Sequence, residues 1–268
     1  MTHELATDKT ILYITDNSLD YALFEKCREL LLKSADGLPI VSVSQKPIAL
    51  GTNICVGDIG RSAISLSTQL LVGLESIDTK WVSMAEHDCV YSDEHFKYIP
   101  PSDKFIWYNT NNWFAQYYHP TLHALKGMYS TVRKRFALSQ LVADSCLFRE
   151  SALLRHSIMS SGGWIKKYKF GKIGELGVAN INQGADHIEK ARLFMSKTKK
   201  TYPKEDASVL EKQLVDYFCK YTAKEFRTNT PNLDIRHKNN FTGQRRGVNR
   251  TYHLPPWGRL EDVLGALP

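Results

Sequence analysis

The stretch Lys80 to Tyr91, "KWVSMAEHDCVY", decides how this chain is read. It opens as a buried strand, since Trp81, Val82, Met84 and Ala85 are apolar or small. It turns polar at Glu86, His87 and Asp88, then apolar again. Two carboxylates two residues apart, at the end of an apolar strand, are costly to bury without a partner cation. A hard divalent ion such as Mg²⁺ or Mn²⁺ answers that cost, taking one or two carboxylates plus substrate phosphates.

Upstream, strands and helices alternate. "TILYITDN" (10–17) is a β-branched and aromatic run that ends polar. Ser18 is placed to cap a helix over 19–33, where Leu19, Leu23, Cys27, Leu30 and Leu31 recur at helical spacing. "LPIVSVSQKP" (38–47) reads as a second strand between the Asp36-Gly37 turn and Pro47. "TNICVGDIGR" (52–61) is a short apolar stretch broken by glycine, and a helix follows over 62–77. The strand from Lys80 to Ala85 completes a βαβ order, the grammar of an α/β domain with a largely parallel sheet. Ligands of such sheets gather at the carboxyl ends of strands. Asp16 and the Glu86-His87-Asp88 cluster both lie at such ends.

Downstream the pattern loosens. "KFIWYNTNNWFAQYYHP" (104–120) is aromatic-rich and has room for a strand before Pro120. Its aromatics are expected in the core or at a seam. Pro120, between His119 and His123, argues against a helical metal pair. Residues 138–164 read as a short strand, then a helix from about Arg149 that stops at Gly162-Gly163. "INQGADHIEKARLFMSK" and "DASVLEKQLVDYFCKYTAKEF" (206–226) read as helices. From Asn229 the tail is polar and Arg-rich.

Charge divides the chain unevenly. Residues 1–125 carry 9 basic and 15 acidic residues, and residues 126–268 carry 26 and 13, so a net of −6 faces a net of +13. The acidic half is suited to a metal and the basic half to phosphates, an anionic acceptor or nucleic acid. The bland alternative for any one lysine cluster, such as Lys166, Lys167, Lys169 and Lys172, is a solvated surface. Five scattered cysteines without a CxxC pair argue against a zinc ribbon or a disulfide framework. No apolar run reaches transmembrane length and no secretion signal is evident, so a cytoplasmic location is expected.

Taken together, the first strand, the turn "NICVGDIGRS" with Asn53, Gly57, Asp58, Gly60 and Arg61, the helix after it and the acidic "EHD" motif resemble the GT-A glycosyltransferases. The likeness is to family-2-like enzymes that use nucleotide-diphosphate sugars, and it covers about residues 10–95. Glu86 stands where that family has the first Asp of its Asp-x-Asp motif. The resemblance implies a Rossmann-like mixed sheet flanked by helices, with residues 1–125 binding nucleotide sugar and metal. Residues 126–268 would form an irregular, basic acceptor-binding region, within one continuous domain. It implies that Asp88 contacts Mn²⁺ or Mg²⁺ directly, with Glu86 near the ribose or a metal-bound water. Asp16, Asp58 and Arg61 would line the nucleotide pocket, a UDP-sugar being the first donor to consider. His237 resembles the C-terminal histidine that supplies a third metal ligand in several such enzymes. Arg245 and Arg246 lie in a loop (Thr242 to Gly247) that can close on a diphosphate through bidentate guanidinium contacts.

Two carboxylates are candidates for the base that an inverting transfer needs. Asp186 precedes Arg192 at a spacing like the family's Glu-Asp…Arg segment, although Ala185 replaces the preceding acid. Glu175 is flanked by glycines in "GKIGELG". The acceptor reading stays open between a polysaccharide or lipid-linked precursor and a hydroxymethylated DNA base, which would have to be flipped out of its stack. A non-catalytic nucleic-acid-binding protein would explain the basic half but leaves the acidic strand end without a purpose. A metal-dependent nucleotidyltransferase also places carboxylates on a cation, but wants a glycine-rich phosphate loop that "ITDNSLD" is not.

Overall fold

The computed structural model describes residues 8–131, 135–160, 176–177, 220–240 and 247–268. Along these the chain runs β1 (Lys9–Thr15), α1 (Tyr21–Ala35), β2 (Ile40–Ser44), β3 (Thr52–Cys55), α2 (Ala63–Glu75), β4 (Trp81–Glu86), β5 (Cys89–Val90) and α3 (Asp93–Lys97). It continues through β6 (Ile106–Asn109), β7 (Asn112–Gln116), β8 (Tyr129–Ser130), β9 (Leu141–Asp144), α4 (Ser145–Ser160), β10 (Ala223–Phe226), β11 (Asn232–Arg236), β12 (Arg250–Thr251) and α5 (Leu260–Leu264).

β1 and β2 are buried along every residue. Strands covered on both faces read as apolar runs rather than alternations, which is the character of "ILYI" and "IVSV". β1 pairs in parallel with β2 on one side and β4 on the other, with Ile14 level with Glu86. Parallel neighbours need a crossover, and α1 and α2 supply it. β9 enters antiparallel to β4, and β6 and β10 follow beyond it. The result is a seven-stranded mixed sheet in the order β10-β6-β9-β4-β1-β2-β3. Leu12, Val43, Met84 and Ile106 share a core cluster with Leu70 and Leu74 of α2 and Phe148 and Ala152 of α4. Ile11, Tyr13, Ile40 and Ala85 cluster instead with Leu31 of α1, Tyr91 and Phe96. The expected α/β class, a mixed sheet flanked by helices, is the one observed. Among the described residues no helix is long and apolar enough to cross a membrane.

A second sheet, β12-β8-β7-β11-β5, packs over its own cluster of Leu23, Val90, Ala115, Tyr129, Leu233, Ile235, Leu260 and Val263. β4 and β5 are consecutive in sequence yet belong to different sheets, and only His87 and Asp88 separate them. The polar end of the opening motif is thus the point where the chain leaves one sheet for the other.

Four local expectations are corrected. Asp20, not Ser18, caps α1, its Oδ1 accepting from Leu23 N at 3.0 Å, so the helix starts at Tyr21. α4 begins at Ser145 rather than near Arg149, because Asp144 Oδ1 accepts from Cys146 N and Leu147 N at 3.0 Å each. Residues 223–226, expected as the end of a helix, form β10 against β6; the open edge of the sheet offers them a ladder that outweighs local propensity. The tail beyond Asn229 is not irregular throughout, since β11 is buried at all five residues. The aromatic run splits into β6 and β7, one in each sheet, with Asn111 Nδ2 donating to Thr228 O (3.0 Å) in the break. Tyr108 and Phe114 are buried, as core aromatics should be.

Candidate active site

The carboxyl end of β1 is shaped by two consecutive side chains, Asp16 and Asn17. Asn17 sits at φ 58°, a conformation asparagine tolerates, and its Oδ1 accepts from Gln45 N (2.9 Å) and Lys46 N (2.8 Å). This clamps the end of β1 to the end of β2. Asp16 Oδ1 accepts from Ser18 N at 2.9 Å, and Oδ2 from Arg61 Nε at 2.5 Å. Arg61 also donates from Nη2 to Asn239 O at 2.6 Å. Burial alone would raise the Asp16 carboxyl. The neighbouring His87 and the bonds from Ser18 and Arg61 reverse that, and its pKa lies below the usual carboxylate value.

Arg61 owes its place to the loop before α2. Gln45 Nε2 donates to Gly60 O (2.7 Å), Ser65 Oγ donates to Ile59 O (2.8 Å), and Ser62 Oγ caps the helix by accepting from Ser65 N (3.0 Å). Asp58 is exposed and folds onto this same loop, its Oδ1 accepting from Gly60 N at 3.0 Å. Asn53 does not belong to the turn. It lies in β3 and braces β2, donating from Nδ2 to Ser42 Oγ (2.9 Å) and Ser44 Oγ (3.0 Å).

At the end of β4 the turn through His87 and Asp88 ends the strand alternation, so neighbouring side chains converge. Asp88 O accepts from Ile235 N at 2.7 Å, and β5 pairs antiparallel with β11, which brings the residues after β11 alongside Asp88. His237 Nε2 lies 3.6 Å from Asp88 Oδ2, and Asn240 Nδ2 donates to the same oxygen at 2.9 Å. Asn240 Oδ1 in turn accepts from His237 N at 2.5 Å, and Asn239 Nδ2 donates to Ser18 O at 2.8 Å. The segment 237–240 is thus tied to the ends of both β1 and β4. His87 Nε2 stands 3.9 Å from Asp16 Oδ1, and the His87 and His237 rings meet edge-on with centroids 6.0 Å apart. One ligand atom from each of His87, Asp88 and His237 falls within 4.8 Å of the others, and so does one from each of Glu86, Asp88 and Cys89.

The electrostatics favour a cation. Burial would raise the Asp88 carboxyl, but the His237 bond and the neighbouring His87, His237 and Arg236 hold it well below the ordinary range, so it is ionised. Burial lowers the His87 imidazole more than Asp88 and Asp16 raise it, which keeps the ring neutral near pH 7 and able to donate a lone pair. Burial and the surrounding carboxylates push the Cys89 thiol well up, so it stays protonated and the useful donors are oxygen and imidazole. Behind the cluster, Asp234 is held between Arg135 (2.6 Å) and the buried Arg236 (3.2 Å), both lying over the Phe114 ring.

Of the candidate residues read from the sequence, Asp16, Arg61, Glu86, Asp88 and His237 come together at one edge of the main sheet. Asp58 lies on the adjoining loop and is turned onto it. Asp186, Glu175, Arg245 and Arg246 lie outside the described residues; Leu176 and Gly177, next to Glu175, dock near the start of β10, with Gly177 O accepting from Ala223 N at 3.1 Å. Asn239 and Asn240 escaped the sequence reading, and His87, read as part of the strand-end cluster, was not named there as a ligand. The two asparagines carried no signal beyond their closeness to His237.

No protein-family model matches the chain, and no curated protein does. Solved structures similar to it include a glycosyltransferase involved in glycosylation of the major capsid of PBCV-1, at 12% identity over 58% of this chain and 68% of that one, TM-score 0.36. The apo-form glycosyltransferase GlyE of Streptococcus pneumoniae TIGR4 is similar at 11% identity over 82% of this chain and 45% of that one, TM-score 0.36. The bifunctional IspDF of Campylobacter jejuni is similar at 14% identity over 55% of this chain and 43% of that one, TM-score 0.35. The chain spans less than half the length of the last two. Structural neighbours of this chain thus include glycosyltransferases, and likeness at this level carries no assignment of activity.

Proposed function

We propose that this chain is a divalent-metal-dependent glycosyltransferase that moves a sugar from a nucleotide-diphosphate sugar to an acceptor hydroxyl. The observation that carries the reading is the meeting of Asp88 with His87 and His237, and of Asp88 with Glu86, at the carboxyl end of a parallel strand, one strand away from Asp16 and its bound Arg61. The donor set fits a cation: an ionised carboxylate, a second carboxylate beside it and an imidazole. Asp88, Glu86 and His237 would hold Mn²⁺ or Mg²⁺, which when bound neutralises charge developing on a departing diphosphate. Asp16 has both carboxylate oxygens engaged, so its part is to orient Arg61. The exposed guanidinium of Arg61 is available to the nucleotide, with Asp58, Arg245 and Arg246 as further donor contacts. Asp186 or Glu175 is the proposed base for the acceptor hydroxyl. The net +13 of residues 126–268 favours an anionic acceptor, a hydroxymethylated DNA base among them.

The test is a thermal-shift panel of nucleotide sugars with and without Mn²⁺, UDP-sugars first, followed by assays that track labelled sugar and labelled nucleotide separately. Sugar transfer with nucleoside diphosphate release, lost in Asp88→Asn, supports the reading. Transfer of the nucleotidyl group instead would make this a nucleotidyltransferase. Absence of any donor that stabilises the Mn²⁺-loaded chain would overturn both.

A further inference from the structure

We infer that His87 is itself a ligand of the cation, and that the His87–Asp88–His237 set selects a nitrogen-accepting transition ion such as Mn²⁺ or Co²⁺ over Mg²⁺. The inference rests on the cation-binding part of the proposed function and not on the sugar chemistry. A regular strand would point His87 away from Glu86 and Asp88. Here residues 87–88 form a turn, and one ring nitrogen of His87 lies within 4.8 Å of ligand atoms on Asp88 and His237.

The state of the His87 ring points to a ligand. Its Nδ1 is buried and has no hydrogen-bond partner among the described residues. Its Nε2 faces Asp16 Oδ1 at 3.9 Å, beyond hydrogen-bond reach. A buried polar atom without a partner is uncommon and asks for an explanation such as an ion. His237 is differently placed. Its Nδ1 lies 3.3 Å from Asn239 N, so Nε2, 3.6 Å from Asp88 Oδ2, is the nitrogen it turns toward the cluster.

The donor chemistry then sets the ion. Mg²⁺ prefers an oxygen shell and keeps several waters, so two imidazoles beside one carboxylate suit it poorly. Imidazole donors favour the later first-row ions, and Mn²⁺ and Co²⁺ accept mixed nitrogen and oxygen shells. Glu86, within reach of Asp88, adds a further oxygen without altering that preference.

The experiment is pulsed EPR on the full chain with Mn²⁺ alone, without nucleotide. Nitrogen modulation from two directly bound imidazoles is expected, and uniform ¹⁵N-histidine labelling should change it. His87→Asn should leave a single coupled nitrogen and weaken Mn²⁺ binding by at least about tenfold, the loss typical even of an outer partner of a metal ligand. Mg²⁺ at equal concentration should not displace Mn²⁺. One coupled nitrogen in the unsubstituted chain overturns the inference without recourse to any variant. So does unchanged modulation in a His87→Asn chain that melts like the parent, or ready displacement by Mg²⁺. Two coupled nitrogens in a chain that transfers no sugar would leave this inference standing and remove the glycosyltransferase reading. Asp88-dependent transfer with only one coupled nitrogen would do the reverse.

Discussion

Asp88 holds its position by accepting from Asn240, lying beside two histidines and feeling the buried Arg236. Asp88→Asn keeps the shape and removes the charge. A bound cation supplies several kcal/mol of stabilisation to a developing diphosphate, so kcat/KM for sugar transfer should fall by at least about a hundredfold. Retained metal-dependent activity in this variant, measured against a chelator control, would contradict the assignment. Asn240 acts at one remove, since its amide bonds both Asp88 Oδ2 and the backbone N of His237. Asn240→Ala should therefore raise the Mn²⁺ concentration needed for half-maximal activity by roughly tenfold, with kcat at saturating Mn²⁺ nearly unchanged. A drop in kcat that added Mn²⁺ cannot restore would show that Asn240 does more than orient ligands. At this scale the carboxylates and His237 were legible as residue types, and the asparagines were not, because an amide announces its partner only in three dimensions.

Elements meet closely where the sequence permits. A methyl group on Gly73 of α2 would lie 2.3 Å from Leu12 Cδ1 of β1. Gly73→Ala must push helix and sheet apart or distort Leu12, at a cost of about 1–3 kcal/mol, despite alanine's better helix propensity. Equal or higher stability by urea denaturation would mean that α2 rides more loosely on β1 than described. His95, at the middle of short α3, is fully buried among Tyr91, Phe96 and Phe226. Burial pushes its imidazole down to about 3 from an ordinary 6.5. Between those values the unfolded chain binds a proton that the folded chain does not, so stability falls as pH drops from 6.5 toward 3. One such group contributes a slope of about 1.4 kcal/mol per pH unit at most. The depressed carboxyls of Asp16 and Asp88 lose their contributions only further down, below the ordinary carboxylate pKa of 3.8. His95→Phe should flatten the pH 4–6 part of a stability profile, and an unchanged slope there would place the titrating group elsewhere.

Across the whole molecule, the site joins two sheets. Glu86 ends a strand of the first, Asp88 leads into the second, and His237 follows the buried β11 of the second. A cation held there binds only when both sheets are in place, so it should stabilise them together. At a hundred times its dissociation constant a ligand adds about 2.7 kcal/mol, which for a chain of this size is roughly 5–10 °C in Tm. Mn²⁺ should produce a shift of that order in one sharp transition, absent in Asp88→Asn. A biphasic melt in which only one transition moves would show that the sheets unfold separately and that the site belongs to one of them.

What the sequence by itself determined is the order from β1 to β4 and the acidic strand end. Apolar runs, capping residues and turn glycines act over a few positions, and their physics is local. Asp16, Arg61 and Asp88 could be read as neighbours because parallel crossovers put successive carboxyl ends on one edge. Tertiary structure alone decided the rest. It turned 223–226 from helix into an edge strand, and carried β11 between β7 and β5 of a second sheet. It placed His237 on Asp88, and swung His87 out of its alternation to join them. These depend on backbone pairing between segments distant in the chain, as of Cys89 with Asp234, and no short window of residues encodes which distant strand will satisfy its hydrogen bonds.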